Sequence, residues 1–147
     1  MPWTYKLNMA FLSRQLFIKA SFIPHSGMGL FTKTYIPKGT RIIEYKGRMS
    51  TWKEVNHRKW TNRYIFYIDR DHVVDASTYE KALGRFANDA KGMYRNGGLK
   101  NNAEYVADGF RVYIDATRDI PPGAEILVDY GKEYWDIIRY NQKIANN

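Results

Sequence analysis

ATRDIPPGAEILVDYGKEYW, residues 116–135, runs turn, strand and helix signals together without a linker. Pro121-Pro122-Gly123 reads as a turn, because proline fixes φ and glycine tolerates the left-handed region. EILVDYG (125–131) then has the apolar and aromatic content of a strand. From Lys132 the period changes. KEYWDIIRYNQKI (132–144) sets Tyr134, Ile137, Ile138 and Asn141 on one face of a terminal amphipathic helix, and Trp135 falls beside that stripe, placed to look onto something other than the core. The run thus delivers Asp129 and Tyr130 to a glycine turn at the foot of an aromatic helix. Taken alone, Tyr130 is an ordinary strand aromatic, and its meaning depends on the rest of the chain.

Upstream, short β-branched and aromatic segments bounded by turn residues recur: LFIKASFI (16–23), RIIEYKG (41–47), RYIFYID (63–69), HVVDAS (72–77) and AEYVADGFRVYIDA (103–116). Asp108-Gly109 within the last is a two-residue hairpin signal, and Ile36-Pro37-Lys38-Gly39 sets a turn before a strand. Helical signal is sparse outside 132–144. STWKEVNHRKW (50–60) has a Ser or Thr N-cap, with Glu54 at capping-box spacing from Thr51. The pattern predicts a mainly β protein with short helices. No repeat or low-complexity linker interrupts it, and 147 residues with 44% hydrophobic content suit one domain.

Composition narrows the chemistry. The absence of cysteine excludes disulfides, thiolate zinc sites and a cysteine nucleophile together. His25, His57 and His72 are far apart and outside any ligand-spaced motif, so no metal site is expected. Charges break the apolar runs well short of the roughly 20 residues that span a bilayer. Arg14 and Gln15 interrupt the N-terminal apolar stretch and no small-residue cleavage site follows, so no signal peptide is expected. The expected setting is soluble and intracellular: cytoplasmic, or nuclear if the partner is chromatin. A net charge of +8 favours acidic partners, nucleic acid among them. The densest basic patch, KEVNHRKWTNR (53–63), is a charge run of the kind that is more often a solvated face than a binding site.

Three further stretches belong with the first. HSGMGLF (25–31) puts Gly27 and Gly29 around Met28 just before a strand, where the missing Cβ atoms let backbone approach a ligand. Alone it reads as a turn, since it lacks the third glycine and the helix of a dinucleotide fingerprint. EYKG (44–47) ends a strand on a tyrosine and then a glycine. GRFANDA (84–90) sets Asn88 and Asp89, both turn formers, beside Arg85 and Phe86.

In this order and spacing the four stretches resemble the SET domain of protein lysine methyltransferases, over about residues 16–135. SGMGLFTKTYIPKGTRIIEYKG (26–47) is similar to the family's opening Gly-x-Gly segment and its Tyr-x-Gly strand end. RYIFYID and VVDAS resemble its middle strands. GRFANDA stands where Arg-Phe-x-Asn-His-Ser is usual, and ATRDIPPGAEILVDYG resembles the closing Arg-Asp-Ile, Pro-Gly and Asp-Tyr signature, the most specific of the set. DYGKEYW (129–135) looks like the minimal chlorella-virus type, in which a short aromatic helix stands in place of a cysteine-rich post-SET segment. The resemblance implies a β-clip fold of several small sheets with a knot-like C-terminal crossing. It also implies boundaries: an N-terminal extension at 1–15, the SET domain at 16–135 with a variable insert at about 48–62, and a C-terminal helix and tail at 136–147.

Residue by residue, the resemblance implies an S-adenosylmethionine site. Backbone of Gly27, Met28 and Gly29 would hold the methionine end; Tyr64, Arg85, Phe86 and Asn88 match further cofactor contacts; and Trp135 would cover the adenine. Tyr130 matches the catalytic tyrosine, while Tyr45 and Tyr105 match tyrosines lining the channel through which the lysine meets the methyl group. Methyl transfer needs a neutral amine aligned with the S–CH3 bond, so positioning supplies much of the rate. A tyrosine-lined channel suits that task, since ring faces attract cations and hydroxyls fix the amine. A phenol titrating near ~10 is a poor base toward a lysine at ~10.4, so Tyr130 is expected to orient rather than deprotonate.

The chain also departs from the pattern. Met28 stands where tryptophan is frequent, Ala90 replaces serine, and Asp89 replaces the histidine, whose contact with the cofactor is made partly through backbone that Asp89 can reproduce, so the resemblance places Asp89 among the cofactor contacts. The carboxylate of Asp89 is expected to cap nearby amides or to pair with Lys or Arg. Val128 stands two residues before Tyr130, where some relatives have Phe or Tyr and where the residue influences how many methyls fit; the Tyr105 hydroxyl would supply the restriction instead, giving an expected bias toward mono- or dimethylation. Two readings stand: an S-adenosylmethionine-dependent lysine methyltransferase acting on a protein, with histones among the candidates, or a SET-like module with weak or no catalysis that binds peptide or nucleic acid. Monomer and homodimer are both open.

Overall fold

The hairpin signal at Asp108-Gly109 marks the edge of the central sheet. In the computed structural model, which describes residues 11–55, 64–91 and 97–145, strands β7 (Ala103–Asp108) and β8 (Arg111–Ala116) pair antiparallel from Ala103↔Ala116 to Asp108↔Arg111. The two loop residues are therefore Gly109 and Phe110, one position beyond the expected pair. Gly109 takes φ 63°, the first-position requirement of a tight hairpin turn. Along β8 the burial alternates, with Val112, Ile114 and Ala116 inside and Arg111, Tyr113 and Asp115 outward, as the two-residue period of a half-buried strand requires.

Strand β3 (Arg41–Glu44) pairs with the other edge of β8, with a register shift between Arg41 and Ile43. Its first residue locks the register by chemistry: Arg41 donates to both carboxylate oxygens of Asp115, at 2.9 and 3.1 Å, and its guanidinium lies 4.2 Å from the centre of the Tyr113 ring. A second three-stranded sheet has β6 (His72–Asp75) between β4 (Arg48–Ser50) and β5 (Ile65–Asp69), and β1 (Leu16–Ala20) with β2 (Met28–Thr32) makes a third; all pairings are antiparallel. The main core joins the central sheet to the β1–β2 pair through Leu16, Leu30, Ile42, Ile114, Ile126 and Val128, while Val74 of the β4–β6–β5 sheet packs with Tyr45 and Val112 in a second cluster.

Two of the expected elements differ. EILVDYG forms no strand. Residues 125–128 make isolated bridges instead, Phe31↔Glu125, Asn88↔Leu127 and Ala103↔Val128, and much of the remaining pairing comes from a side chain. Asn102 donates through Nδ2 to the Glu125 carbonyl and accepts the Leu127 N–H on Oδ1, both at 2.9 Å, so an amide side chain replaces a rung of ladder. Over 51–55 the chain is a turn in which the Thr51 hydroxyl accepts the Glu54 N–H at 3.2 Å; the rest of the helix expected at 50–60, and most of the basic patch, lie outside the described residues. Strand β4, unexpected from its composition, occupies the start of the segment expected to vary.

The proline turns explain the path of the quoted stretch. Ile36 and Ile120 exchange both backbone hydrogen bonds at 2.8 Å, and Asp119 accepts the Lys38 N–H at 2.8 Å, clasping one turn to the other. Gly123 and Ile126 then donate to Thr32 and Leu30 of β2, both at 2.7 Å. From there the chain crosses between residue 88 on one side and residues 102–103 on the other, with Val128 N–H donating to the Asn88 carbonyl at 2.8 Å and Ala103 N–H to that of Leu127 at 3.0 Å. Helix α1 (Lys132–Ala145) follows, where helical periodicity places it.

Candidate active site

GRFANDA is shaped by what it presses against. A Cβ on Gly84 would lie 3.1 Å from the Glu44 carbonyl oxygen and 3.4 Å from Tyr45 Cα, so glycine lets the 3-10 turn Leu83–Phe86 rest on the end of β3. The turn then divides its side chains. Arg85 stacks its guanidinium 3.9 Å over the Tyr64 ring and donates through Nη1 to the carbonyls of Ala76 and Ser77, at 3.1 and 3.2 Å. Its Nε is buried without a hydrogen-bond partner. Phe86 packs against the main core.

Asn88 faces the Gly-x-Gly strand. Its Nδ2 donates to the Met28 carbonyl at 3.0 Å and lies 3.4 Å from Glu125 Oε2. Glu125 is buried, accepting the Ser21 hydroxyl at 2.7 Å and the Phe22 N–H at 2.8 Å. That carboxylate explains one glycine: a Cβ on Gly29 would stand 2.3 Å from Oε2. Gly27 is explained by backbone instead, with φ 63° and no atom within 4 Å of where a Cβ would be. Met28 between them is half exposed.

Asp89 is 2% exposed. Its Oδ1 accepts the Lys91 N–H at 2.8 Å and Asn101 Nδ2 at 2.9 Å; its Oδ2 accepts the Tyr130 N–H at 2.8 Å and the Trp135 indole N–H at 2.7 Å. The carboxylate caps amides, as expected, and among the described residues no ion pair includes it. Asn101 Oδ1 in turn accepts the Ala90 N–H at 2.8 Å.

Tyr130 donates its hydroxyl to the Ala87 carbonyl at 2.5 Å. Its ring has Tyr134 edge-on at 4.8 Å, with Trp135 and Tyr105 nearly parallel at 5.9 and 6.3 Å. Tyr105 continues the cluster to Phe66 at 5.3 Å and Tyr45 at 5.6 Å, and the Tyr45 hydroxyl donates to the Tyr64 carbonyl at 2.9 Å. Burial pushes the phenols of Tyr130, Tyr105 and Tyr45 well above their ordinary value. At neutral pH these phenols are uncharged and unsuited to take a proton; the Tyr130 and Tyr45 protons go to backbone carbonyls, which leaves their oxygens to accept from an N–H and their ring faces to hold a cation.

The structure therefore gathers Tyr45, Tyr105, Tyr130 and Trp135 into one aromatic cluster, with Asn88, Met28 and Gly29 joined to it through residues 87–89. Tyr64 and Arg85 pair at its margin beside Tyr45. Sequence reasoning passed over Phe66, Glu125 and Asn101, and read Tyr134 only as part of a helix face. Glu125 had a visible signal, a lone carboxylate in an apolar run. Phe66 had none, because a strand aromatic looks the same whether it packs on a core or a site.

Residues 27–131, more than half of the chain, match the SET domain family, and the chain belongs to that family. It is 29% identical over 120 residues to N-lysine methyltransferase KMT5A-A of Danio rerio, covering 75% of this chain and 34% of that protein. Over 130 residues it is 25% identical to Histone-lysine N-methyltransferase set-1 of Caenorhabditis elegans, covering 82% and 52%. The chain thus spans about a third to a half of these relatives. Its fold matches the methyltransferase domain of human PR domain-containing protein 2 with a TM-score of 0.59, at 21% identity, over 80% of this chain and 77% of that one.

Proposed function

We propose that this chain is an S-adenosylmethionine-dependent protein lysine N-methyltransferase. The observation that carries this reading is Tyr130, a neutral phenol fixed through its hydroxyl and walled by Tyr105, Tyr134 and Trp135. The family match and the names of the two relatives support it.

The residues present fit the cofactor. Gly27 leaves open space beside its backbone, Arg85 Nε is a buried donor lacking an acceptor, and the nearby rings suit a cationic sulfonium. Gly27, Met28, Gly29, Asn88, Tyr64 and Arg85 would hold it, with Trp135 against its adenine. Bound there, S-adenosylmethionine supplies an electrophilic methyl group. The chain's own part is positioning: Tyr45, Tyr105 and Tyr130 present ring faces and hydroxyls that align a lysine amine and exclude water around it. A desolvated lysine loses its proton more readily, and that proton goes to water, since the phenols cannot accept it.

The substrate class is a lysine of another protein, with a histone the first candidate from the name of the Caenorhabditis elegans relative. With Val128 two residues before Tyr130, the Tyr105 hydroxyl is the group that would restrict the product to mono- or dimethylation. Calorimetry with S-adenosylmethionine, followed by transfer of labelled methyl to core histones and peptide arrays, tests the proposal. Binding and transfer are expected, with mass spectrometry reading mainly one or two added methyls. Folded protein that binds no cofactor ends the reading; binding without transfer to any substrate leaves a recognition module.

A further inference from the structure

Residues 87–89 grip Tyr130 at both ends. The Ala87 carbonyl accepts its hydroxyl at 2.5 Å, and Asp89 Oδ2 accepts its backbone N–H at 2.8 Å. The same oxygen accepts the Trp135 indole N–H at 2.7 Å, so one carboxylate oxygen bridges the proposed catalytic tyrosine and helix α1. The other holds Lys91 N–H and Asn101 Nδ2, the two sides of the loop between residues 91 and 101. A carboxylate offers about four acceptor sites, and all are engaged within the fold. A neutral imidazole, with one acceptor nitrogen, could not receive four donors.

We propose that Asp89 is a positioning residue which couples the docking of helix α1, through Trp135, to the placement of Tyr130. This gives Asp89 a role different from the cofactor contact its place in the sequence implies. Its kinetic consequence rests on the methyltransferase reading; its structural consequence does not. Trp135 stacks on Tyr130 at 5.9 Å with an interplanar angle of 17°, so tilting of the helix is transmitted to the phenol by ring contact as well as through the shared oxygen. Loss of the bridge leaves Tyr130 tethered at its hydroxyl alone.

Three variants test this. Asp89→Asn keeps the shape but turns an NH2 group toward two donors. Trp135→Phe keeps a ring and removes the indole N–H. The exchange Asp89→Asn with Asn101→Asp preserves composition and net charge, letting the new amide donate to the new carboxylate while an oxygen faces Tyr130 and Trp135; of the four donors only the Lys91 N–H loses its acceptor. In 15N-labelled protein, Trp135→Phe should move the Tyr130 amide resonance, and Asp89→Asn should move the Trp135 indole resonance upfield. In turnover, both single variants should lose roughly 10- to 100-fold in kcat, the scale of a misplaced catalytic group, with KM for peptide little changed in both and cofactor affinity little changed in Asp89→Asn, whereas Trp135→Phe also alters the surface proposed to cover the adenine. The exchange should recover most of that loss. A Tyr130 amide unmoved by Trp135→Phe overturns the proposal, as does a folded Asp89→Asn turning over at the wild-type rate. Should Asp89→Asn fail to fold, Trp135→Phe decides. Should the wild-type protein transfer no methyl group, the methyltransferase reading fails and the resonances alone judge the coupling.

Discussion

At the scale of single residues, Tyr130 and Asp89 divide one task. The phenol is aimed by a 2.5 Å hydrogen bond to the Ala87 carbonyl, and the buried carboxylate holds its backbone. Tyr130→Phe removes the hydroxyl and leaves the ring stack. It is expected to lower kcat by about 10²-fold or more, the cost of deleting one preorganised polar group, while calorimetry shows near wild-type cofactor affinity. Full activity in that variant would remove Tyr130 from the chemistry. GRFANDA announced itself in the sequence as polar residues among strands, and the residue types alone limited Asp89 to capping or pairing. Which donors it caps depends on Lys91, Asn101, Tyr130 and Trp135 converging, and up to 46 positions separate them along the chain.

At the scale of elements, two glycines separate close approach to backbone from close approach to a side chain. A Cβ on Gly47 would lie 2.7 Å from the backbone carbon and oxygen of Asp75, across the β4–β6 pairing; one on Gly29 would meet a carboxylate side chain. Backbone in a paired strand cannot yield cheaply, whereas a side chain can rotate. Gly47→Ala is therefore expected to cost about 1–3 kcal/mol, the usual penalty of overpacking, read as a lower urea midpoint. Gly29→Ala is expected to cost less stability but to weaken cofactor binding, because displaced Glu125 loses its bonds to Ser21, Phe22 and Asn88. Equal losses of stability would contradict this ordering. The strands expected from β-branched content formed in five of their segments, yet EILVDYG did not. Its backbone partners are Asn102, Leu30 and Asn88, drawn from three separate parts of the chain, and no local propensity encodes that.

At the scale of the whole molecule, the aromatic cluster ties stability to pH. Tyr45, Tyr105 and Tyr130 keep their protons in the folded state above the ordinary phenol value of ~10, whereas the unfolded chain releases them there. Their stabilisation is therefore intact below about pH 10 and lost as the pH rises beyond it. The urea midpoint should fall on that alkaline side, and the last phase of tyrosinate absorbance should appear only with loss of the folded circular dichroism signal. Complete tyrosine ionisation in a folded protein would show that the cluster is wet. The sequence by itself determined the mainly β character, the turns at proline and glycine, the terminal helix and the family, because these rest on local backbone preference, on hydrophobic period and on motifs read in order. Tertiary structure alone decided that Glu125 fills the space Gly29 leaves, that Asn102 replaces a rung of ladder, and that Asp89 bridges Tyr130 to Trp135. Hydrogen bonds between residues far apart in the chain depend on how the segments cross, and that crossing is settled only when the sheets share a core.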